Sequence, residues 1–294
     1  MVMKILEVLT IYLGAYILLL AILKLWEKVK KNAVKQLINA GKKDFENKQY
    51  TQQIKKYNWL IRLNPVPSNY SLRANAFSNL KQYENAIKDI SKAIDINPYY
   101  ADFYKSRAFY YSGIENNDLA VKDYNSAIDL KFNLKDYYYL FLFRAQSLED
   151  NKEYQLAIND YDIAIKNIPE AIEAYTGKGF CLFELKEYDG ALSCYQKAIE
   201  LDDKNYLAFY SRGELFYQLK KVDEALQDLN KALELRPTTE NSYLFLYLGV
   251  LCAVDGKDNE KAMSFLQKAK ELNNKDAQEC IDELNNTGTI VLEW

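Results

Sequence analysis

One pairing of charged residues recurs along this chain at a fixed spacing: an arginine followed sixteen residues later by an aspartate, as Arg73–Asp89, Arg107–Asp123, Arg144–Asp160 and Arg212–Asp228. A guanidinium and a carboxylate meet as a two-pronged ion pair, which fastens a structure and does not by itself catalyse. Groups suited to covalent or proton-transfer chemistry are scarce. The 294 residues include no histidine, which removes imidazole bases, Ser-His and Cys-His nucleophiles, histidine zinc ligands and HExxH together. Cys181, Cys194, Cys252 and Cys280 form no CxxC pair and no zinc spacing, and read as small buried hydrophobes in a reducing compartment. GxxxxGK[ST], GxSxG and GxGxxG are absent; Gly177 and Gly179 in TGKGFCLF lack a third glycine and a preceding strand. The residues argue against an enzyme and call for no metal or cofactor. Lys plus Arg number 38 against 41 Asp plus Glu, a net charge of −3, so a basic surface for nucleic acid is not a bulk property either.

The element that must position each arginine and aspartate is a repeated helical pair. AIKDISKAIDINP, AVKDYNSAIDL, AINDYDIAIKNIP, ALSCYQKAIEL and ALQDLNKALELRP begin at Ala86, Ala120, Ala157, Ala191 and Ala225, at intervals of 34, 37, 34 and 34 residues. Weaker copies begin at Gln53 and Ala262. A large residue opens each unit (Leu37, Tyr70, Tyr104, Phe141, Tyr175, Phe209, Phe245), and four residues later comes a small one (Gly41, Ala74, Ala108, Ala145, Gly179, Gly213, Gly249). Large residues at offsets of three and four mark one face of a helix, and each unit holds two such stretches. Counting the leading alanine as position 20, the arginine is position 7 and the aspartate position 23. Their midpoint, position 15, is the expected turn, so the two lie at equal height on adjacent antiparallel helices. Where position 7 is not Arg, position 23 is not acidic: Ala40 with Lys56, Lys178 with Cys194, Leu248 with Phe265. A structural bridge inside each of the four other hairpins is expected. One hairpin cannot hide its apolar face alone, so the units must stack.

This period and pattern resemble the tetratricopeptide repeat, a helix–turn–helix unit of about 34 residues. The resemblance implies an all-α fold: a right-handed α-α superhelical solenoid of seven units over residues 34–275, divided as 34–66, 67–100, 101–137, 138–171, 172–205, 206–241 and 242–275. The first unit departs from the pattern at Asp44, Gln53 and Leu60, as suits a terminal unit, and the last has an extra residue in its turn, GKDNEK. Residues 276–294 are expected to form a capping helix in KDAQECIDEL and an apolar tail, NNTGTIVLEW, that folds back as part of the cap or serves as a binding tag.

Residues 1–33 read differently. Val8 to Leu23 is uncharged and almost without polarity, and its sixteen residues rise ~24 Å, extended by Ile5, Leu6, Leu25 and Trp26 toward the ~30 Å of a hydrocarbon core. Lys24, Lys28, Lys30, Lys31 and Lys35 follow the run and only Lys4 precedes it, so a single-pass transmembrane anchor would leave the repeats in the cytoplasm. With no Pro or Gly between Ala15 and Gly41, the anchor is expected to run as one rod into the first repeat.

Arrays that resemble this one bind extended peptides or partner proteins along the concave face lined by the first helices. The resemblance therefore implies a groove at positions 2, 5, 9 and 12 of each unit. It is polar in the second unit (Ser68, Ser71, Asn75, Ser78) and becomes aromatic along the chain: Phe109, then Tyr139 and Leu142, Phe180 and Phe183, Tyr210, Glu214 and Tyr217, and finally Tyr243, Leu246 and Val250. Glu149, Glu173 and Glu214 add acids without a matching base. A clamp for acidic tails is not expected, because Ser71, Ser106 and Asp102 stand where its other residues belong. The expected function is a membrane-anchored scaffold or adaptor whose partner segment is apolar or aromatic with some basic character. The rival is a structural subunit or assembly factor of a membrane or secretion complex that acts by self-association.

Overall fold

The computed structural model describes the backbone of residues 2–130, 138–254 and 258–290, and side chains from residue 16 onward. Among the described residues the chain is entirely helical, with fifteen helices. It divides into two compact units, Met1–Leu134 and Lys135–Trp294.

In the first unit, α1 (Val2–Glu46) packs on α2 (Tyr50–Leu63), followed by the hairpins α3 (Pro67–Asn79) with α4 (Tyr83–Ile96) and α5 (Ala101–Ser112) with α6 (Asn117–Asp129). In the second, α7 (Tyr138–Asp150) pairs with α8 (Tyr154–Asn167), α9 (Ile172–Glu184) with α10 (Tyr188–Leu201), α11 (Tyr206–Gln218) with α12 (Val222–Leu235), and α13 (Ser242–Ala253) with α14 (Asn259–Glu271). A last helix, α15 (Ala277–Thr287), lies against α14 and α13. Within each unit the second helix of a hairpin packs on the first helix of the next.

The small columns explain the close packing. Ala86, Ala120, Ala157, Ala191, Ala225 and Ala262 are wholly buried, as are Ala93, Ala127, Ala164, Ala198, Ala232 and Ala269 seven residues on. Position 24 fills the space they leave, with Tyr57, Ile90, Tyr124, Tyr161, Tyr195, Leu229 and Leu266. The ring or branch at that position lies over position 8 of its own hairpin: a Cβ on Gly179 would sit 2.6 Å from the Tyr195 ring, and one on Gly213 2.8 Å from Leu229.

The first six hairpin turns share one solution. Lys48, Lys81, Glu115, Lys152, Lys186 and Lys220, all at position 15, adopt φ between 55° and 63°. The next amide then reaches back five residues to close the helix end, as in Gln82 N to Phe77 O at 2.9 Å and Glu187 N to Leu182 O at 2.8 Å. This is the left-handed C-terminal closure most often made by glycine.

The first unit's departures are accommodated by polar pairing. Asp44, buried, meets Lys56 Nζ at 2.6 Å, and the buried Gln53 amide donates to Gly41 O at 3.3 Å. α1 continues without interruption from Val2 into this first hairpin. From Tyr16 to Val29 its apolar side chains are exposed on all sides, Leu18 at 62% and Leu25 at 63%. Among the described residues no helix is long and apolar enough to cross a membrane; the uncharged run begins at Val8, and its side chains up to Ala15 lie outside the described part. The extra residue expected in GKDNEK also falls partly outside it, at 255–257, as do tail residues 291–294.

The start of the tail folds back. Ile290 is buried, its amide reaches Ala253 O at 3.4 Å, and Thr289 Oγ1 donates to the same carbonyl at 3.1 Å.

Candidate functional site

The four arginine–aspartate pairs are two-pronged ion pairs. Arg73 donates Nε and Nη2 to the two Asp89 oxygens at 2.6 Å each. Arg107 with Asp123, Arg144 with Asp160 and Arg212 with Asp228 repeat the geometry at 2.6–2.9 Å. The aspartates are buried and the arginines about one-fifth exposed. Rings of the same helix flank the guanidinium, Tyr104 and Tyr111 for Arg107, Phe209 and Phe216 for Arg212. The remaining amino group reaches the preceding hairpin: Arg73 Nη1 to Asn58, Arg107 Nη1 to Ser91, and Arg212 Nη1 to Gln196. These residues hold two hairpins together and leave no open coordination or reactive group.

The concave residues of the second compact unit, Lys135–Trp294, converge differently. A pocket of about 270 Å³ opens between the first helices α7, α9 and α11, with one side chain from α8 at its base. α7 contributes Gln146 and Glu149; α9 contributes Glu173, Thr176, Gly177 and Phe180; α11 contributes Leu207 and Ser211. Tyr161 enters from α8, and it can do so because residue 177 is glycine: a Cβ there would lie 2.3 Å from the Tyr161 ring. The phenol then donates to Glu149 Oε2 at 2.8 Å, and the buried Cys181 thiol points at the same oxygen from 3.8 Å. Burial pushes the Glu149 carboxyl above the ordinary glutamate range, the Tyr161 and Cys181 hydrogen bonds offset part of this, and the charges of Asp150 and Glu184 push the same way as burial. Its effect on Tyr161 and Cys181 is reciprocal, since burial and the nearby carboxylate hold both in their neutral forms. A second partly buried acid, Glu214, accepts from Tyr247 at 2.9 Å and is raised by burial in the same way.

The other expected groove residues divide by burial. Phe109 and Tyr243 are about half exposed. Tyr139, Leu142, Phe180 and Phe183 are partly buried, with ring contacts of Tyr139 to Phe143 at 6.1 Å, Phe180 to Tyr154 at 6.3 Å and Phe183 to Tyr188 at 6.0 Å. Tyr210 lies parallel to Tyr206 at 6.2 Å, and Tyr217 is 4.6 Å from Tyr247, so both rings also serve the packing between hairpins. Leu246 and Val250 require correction. They are buried, not groove-lining, because they share a core with Ile281 and Leu284 of α15 and with Ile290. Sequence reasoning missed Tyr161, Tyr247 and Gly177. Tyr161 shares a core column with Tyr57, Tyr124 and Tyr195, and nothing in the sequence marks its hydroxyl as a carboxylate's partner.

Comparison with known proteins places this geometry. The tetratricopeptide repeat models match residues 67–100, 172–205 and 206–239. A 63-residue stretch is 43% identical to the small glutamine-rich tetratricopeptide repeat-containing protein 2 of Saccharomyces cerevisiae; it is 20% of this chain and spans only 18% of that relative's length. A tetratricopeptide repeat protein of Parabacteroides merdae superposes with a TM-score of 0.69 at 16% identity, over 85% of this chain and 98% of the other. PilF of Pseudomonas aeruginosa gives 0.62 at 18% identity over 75% and 96%. YrrB, described as a TPR protein with an unusual peptide-binding site, gives 0.51 at 24% identity over 62% and 93%. The chain carries tetratricopeptide repeats and has their all-helical solenoid fold. Such repeats are in general protein–protein interaction scaffolds, and the fold is typically non-catalytic.

Proposed function

We propose that this protein is a scaffold that holds an extended, largely apolar segment of a partner protein along the first helices of its second unit. The observation that carries the reading is the pocket between α7, α9 and α11, where Phe180 and Leu207 present apolar surface beside Glu149 and Glu173. Rings such as Phe180 and Tyr210 offer large contact area at low cost in side-chain entropy. The test is a photo-crosslinking side chain placed at Leu207, with Leu156 of α8, equally exposed, as the comparison. A discrete adduct in cells from position 207 alone, lost on Phe180→Ala with Tyr210→Ala, is the expected result. Equal adducts from both positions, or adducts indifferent to the double variant, would overturn the reading.

We propose further that α1 tethers the scaffold to a membrane, with the repeats on the cytoplasmic side. Support comes from the uncharged run starting at Val8, the exposure of Ile17 to Leu23 on all sides and the lysines that follow from Lys24. Sedimentation of the full chain with membranes after alkaline extraction, abolished by Leu18→Arg with Leu19→Arg, would agree. Release of the unaltered chain into the alkaline supernatant would refute it.

A further inference from the structure

The pocket between α7, α9 and α11 is one-sided in charge. Glu149 and Glu173 line it, and neither a lysine nor an arginine does. The fully buried aspartates of this chain each hold a cation, Asp89, Asp123, Asp160 and Asp228 an arginine and Asp44 Lys56, whereas the partly buried Glu214, like Glu149, accepts from a phenol. Glu149 has instead two neutral donors, the Tyr161 phenol and the Cys181 thiol, both on Oε2; Oε1 accepts no hydrogen bond among the described residues. Lys178, on the same helix as Phe180, is engaged by Asp162 at 2.6 Å and supplies no counter-charge. A pocket of about 270 Å³ lies below the ~300–1,000 Å³ usual for a small-molecule site and suits one long side chain. Its lining is matched to such a chain, with apolar Phe180 and Leu207 for a methylene stem and two carboxylates for a charged head.

We infer that this pocket receives a single arginine or lysine side chain of the partner segment, its stem on Phe180 and Leu207 and its cationic head between Glu149 and Glu173. The inference rests on the groove reading above and specifies what that groove selects. The incoming cation supplies what Glu149 lacks, a charged donor for Oε1, and Phe180 lines the same pocket as an aromatic neighbour for a guanidinium. A partner without a cation at this point covers the two carboxylates without supplying a counter-charge, and is thereby rejected.

The test uses a phage library of random twelve-residue peptides selected on the full chain in mild detergent. Selected peptides are then synthesised with each cation replaced in turn by norleucine. The expected result is an arginine or lysine flanked by apolar residues, whose replacement weakens binding tenfold or more to the unaltered chain. The same replacement should change binding to the Glu149→Gln, Glu173→Gln variant less than threefold. Glu173→Gln alone, at an exposed position, serves as a second variant with the fold intact, and helical circular dichroism checks all of them. Peptides that lack a cation, or that bind the glutamine variants as tightly as the unaltered chain, would overturn the cation pocket. If those same peptides are still lost on Phe180→Ala with Tyr210→Ala, the groove reading survives. Recovery of no peptide sensitive to that double variant would overturn both.

Discussion

Lys178 reaches back to Asp162 of the preceding hairpin at 2.6 Å, whereas Arg212, at the same place in the next repeat, grips Asp228 of its own hairpin with two prongs. The difference follows from position 23, which is Cys194 where four of the other hairpins have aspartate. With no carboxylate ahead of it, the lysine turns to the acid behind. Lys178→Arg together with Cys194→Asp should therefore rebuild the missing bridge. A double-mutant cycle by urea unfolding is expected to give a favourable coupling of about 1–3 kcal/mol, as for residues in direct contact. Additive single effects would show that the bridge does not form there.

The bridges already present should be costly to break. Asp123→Asn leaves Arg107 with a neutral partner in a largely enclosed site, and a loss of about 2–3 kcal/mol is expected, below the ~3–5 kcal/mol of fully buried pairs because Arg107 is one-fifth exposed. Asp95→Asn is the contrast: the Lys92–Asp95 pair is more than 60% exposed on both sides, and its loss should stay within ~0.5 kcal/mol. Chemical denaturation of the two variants side by side checks the difference.

Acidity should act on Glu149 and Glu214 in the direction opposite to most surface carboxylates. Burial raises both, so the folded chain holds these protons more tightly than the unfolded one. Their contribution to stability is fully present below the ordinary glutamate range and is lost as pH climbs from that range through the raised values. Glu149→Gln with Glu214→Gln should therefore be more stable than the unaltered chain near neutrality, with the advantage shrinking as pH falls toward 4. Thermal melts across that interval test the sign; an advantage that grows on acidification would contradict it.

The turns carry left-handed residues that glycine would suit better. Lys152, at φ 61°, loses nothing that is seen to be bonded when its side chain is removed, so Lys152→Gly is expected to raise stability by up to ~1 kcal/mol. Lys152→Val, branched at Cβ, should lower it by more than that. Unfolding midpoints of the two variants measure the effect.

The array was readable because its signals are periodic. Two alanine columns and one aromatic or aliphatic column fix how the helices pair, and the joint change of positions 7 and 23 sets Arg107 against Asp123. Isolated signals were harder. Position 15 announces itself as a turn only by symmetry, because lysine is not a residue type that marks the left-handed region. The Tyr161–Glu149 contact joins a core column to a groove column, and each alone has an ordinary explanation. Leu246 and Val250 fall in groove columns by position, yet SYLFLYLGVLCA is largely apolar on every side, the mark of a helix enclosed all round.

The burial of Leu246 and Val250 under α15, with Ile290 closing the same core, bears on how copies of this chain could join. Ala269 and Leu266 of α14 sit in that core as well, so the surface on which an eighth hairpin would stack is already occupied. Head-to-tail growth into a filament needs a free receptor face at one extremity and a matching donor at the other. With that face of α14 covered by α15 and Ile290, a second copy could stack on it only by displacing them.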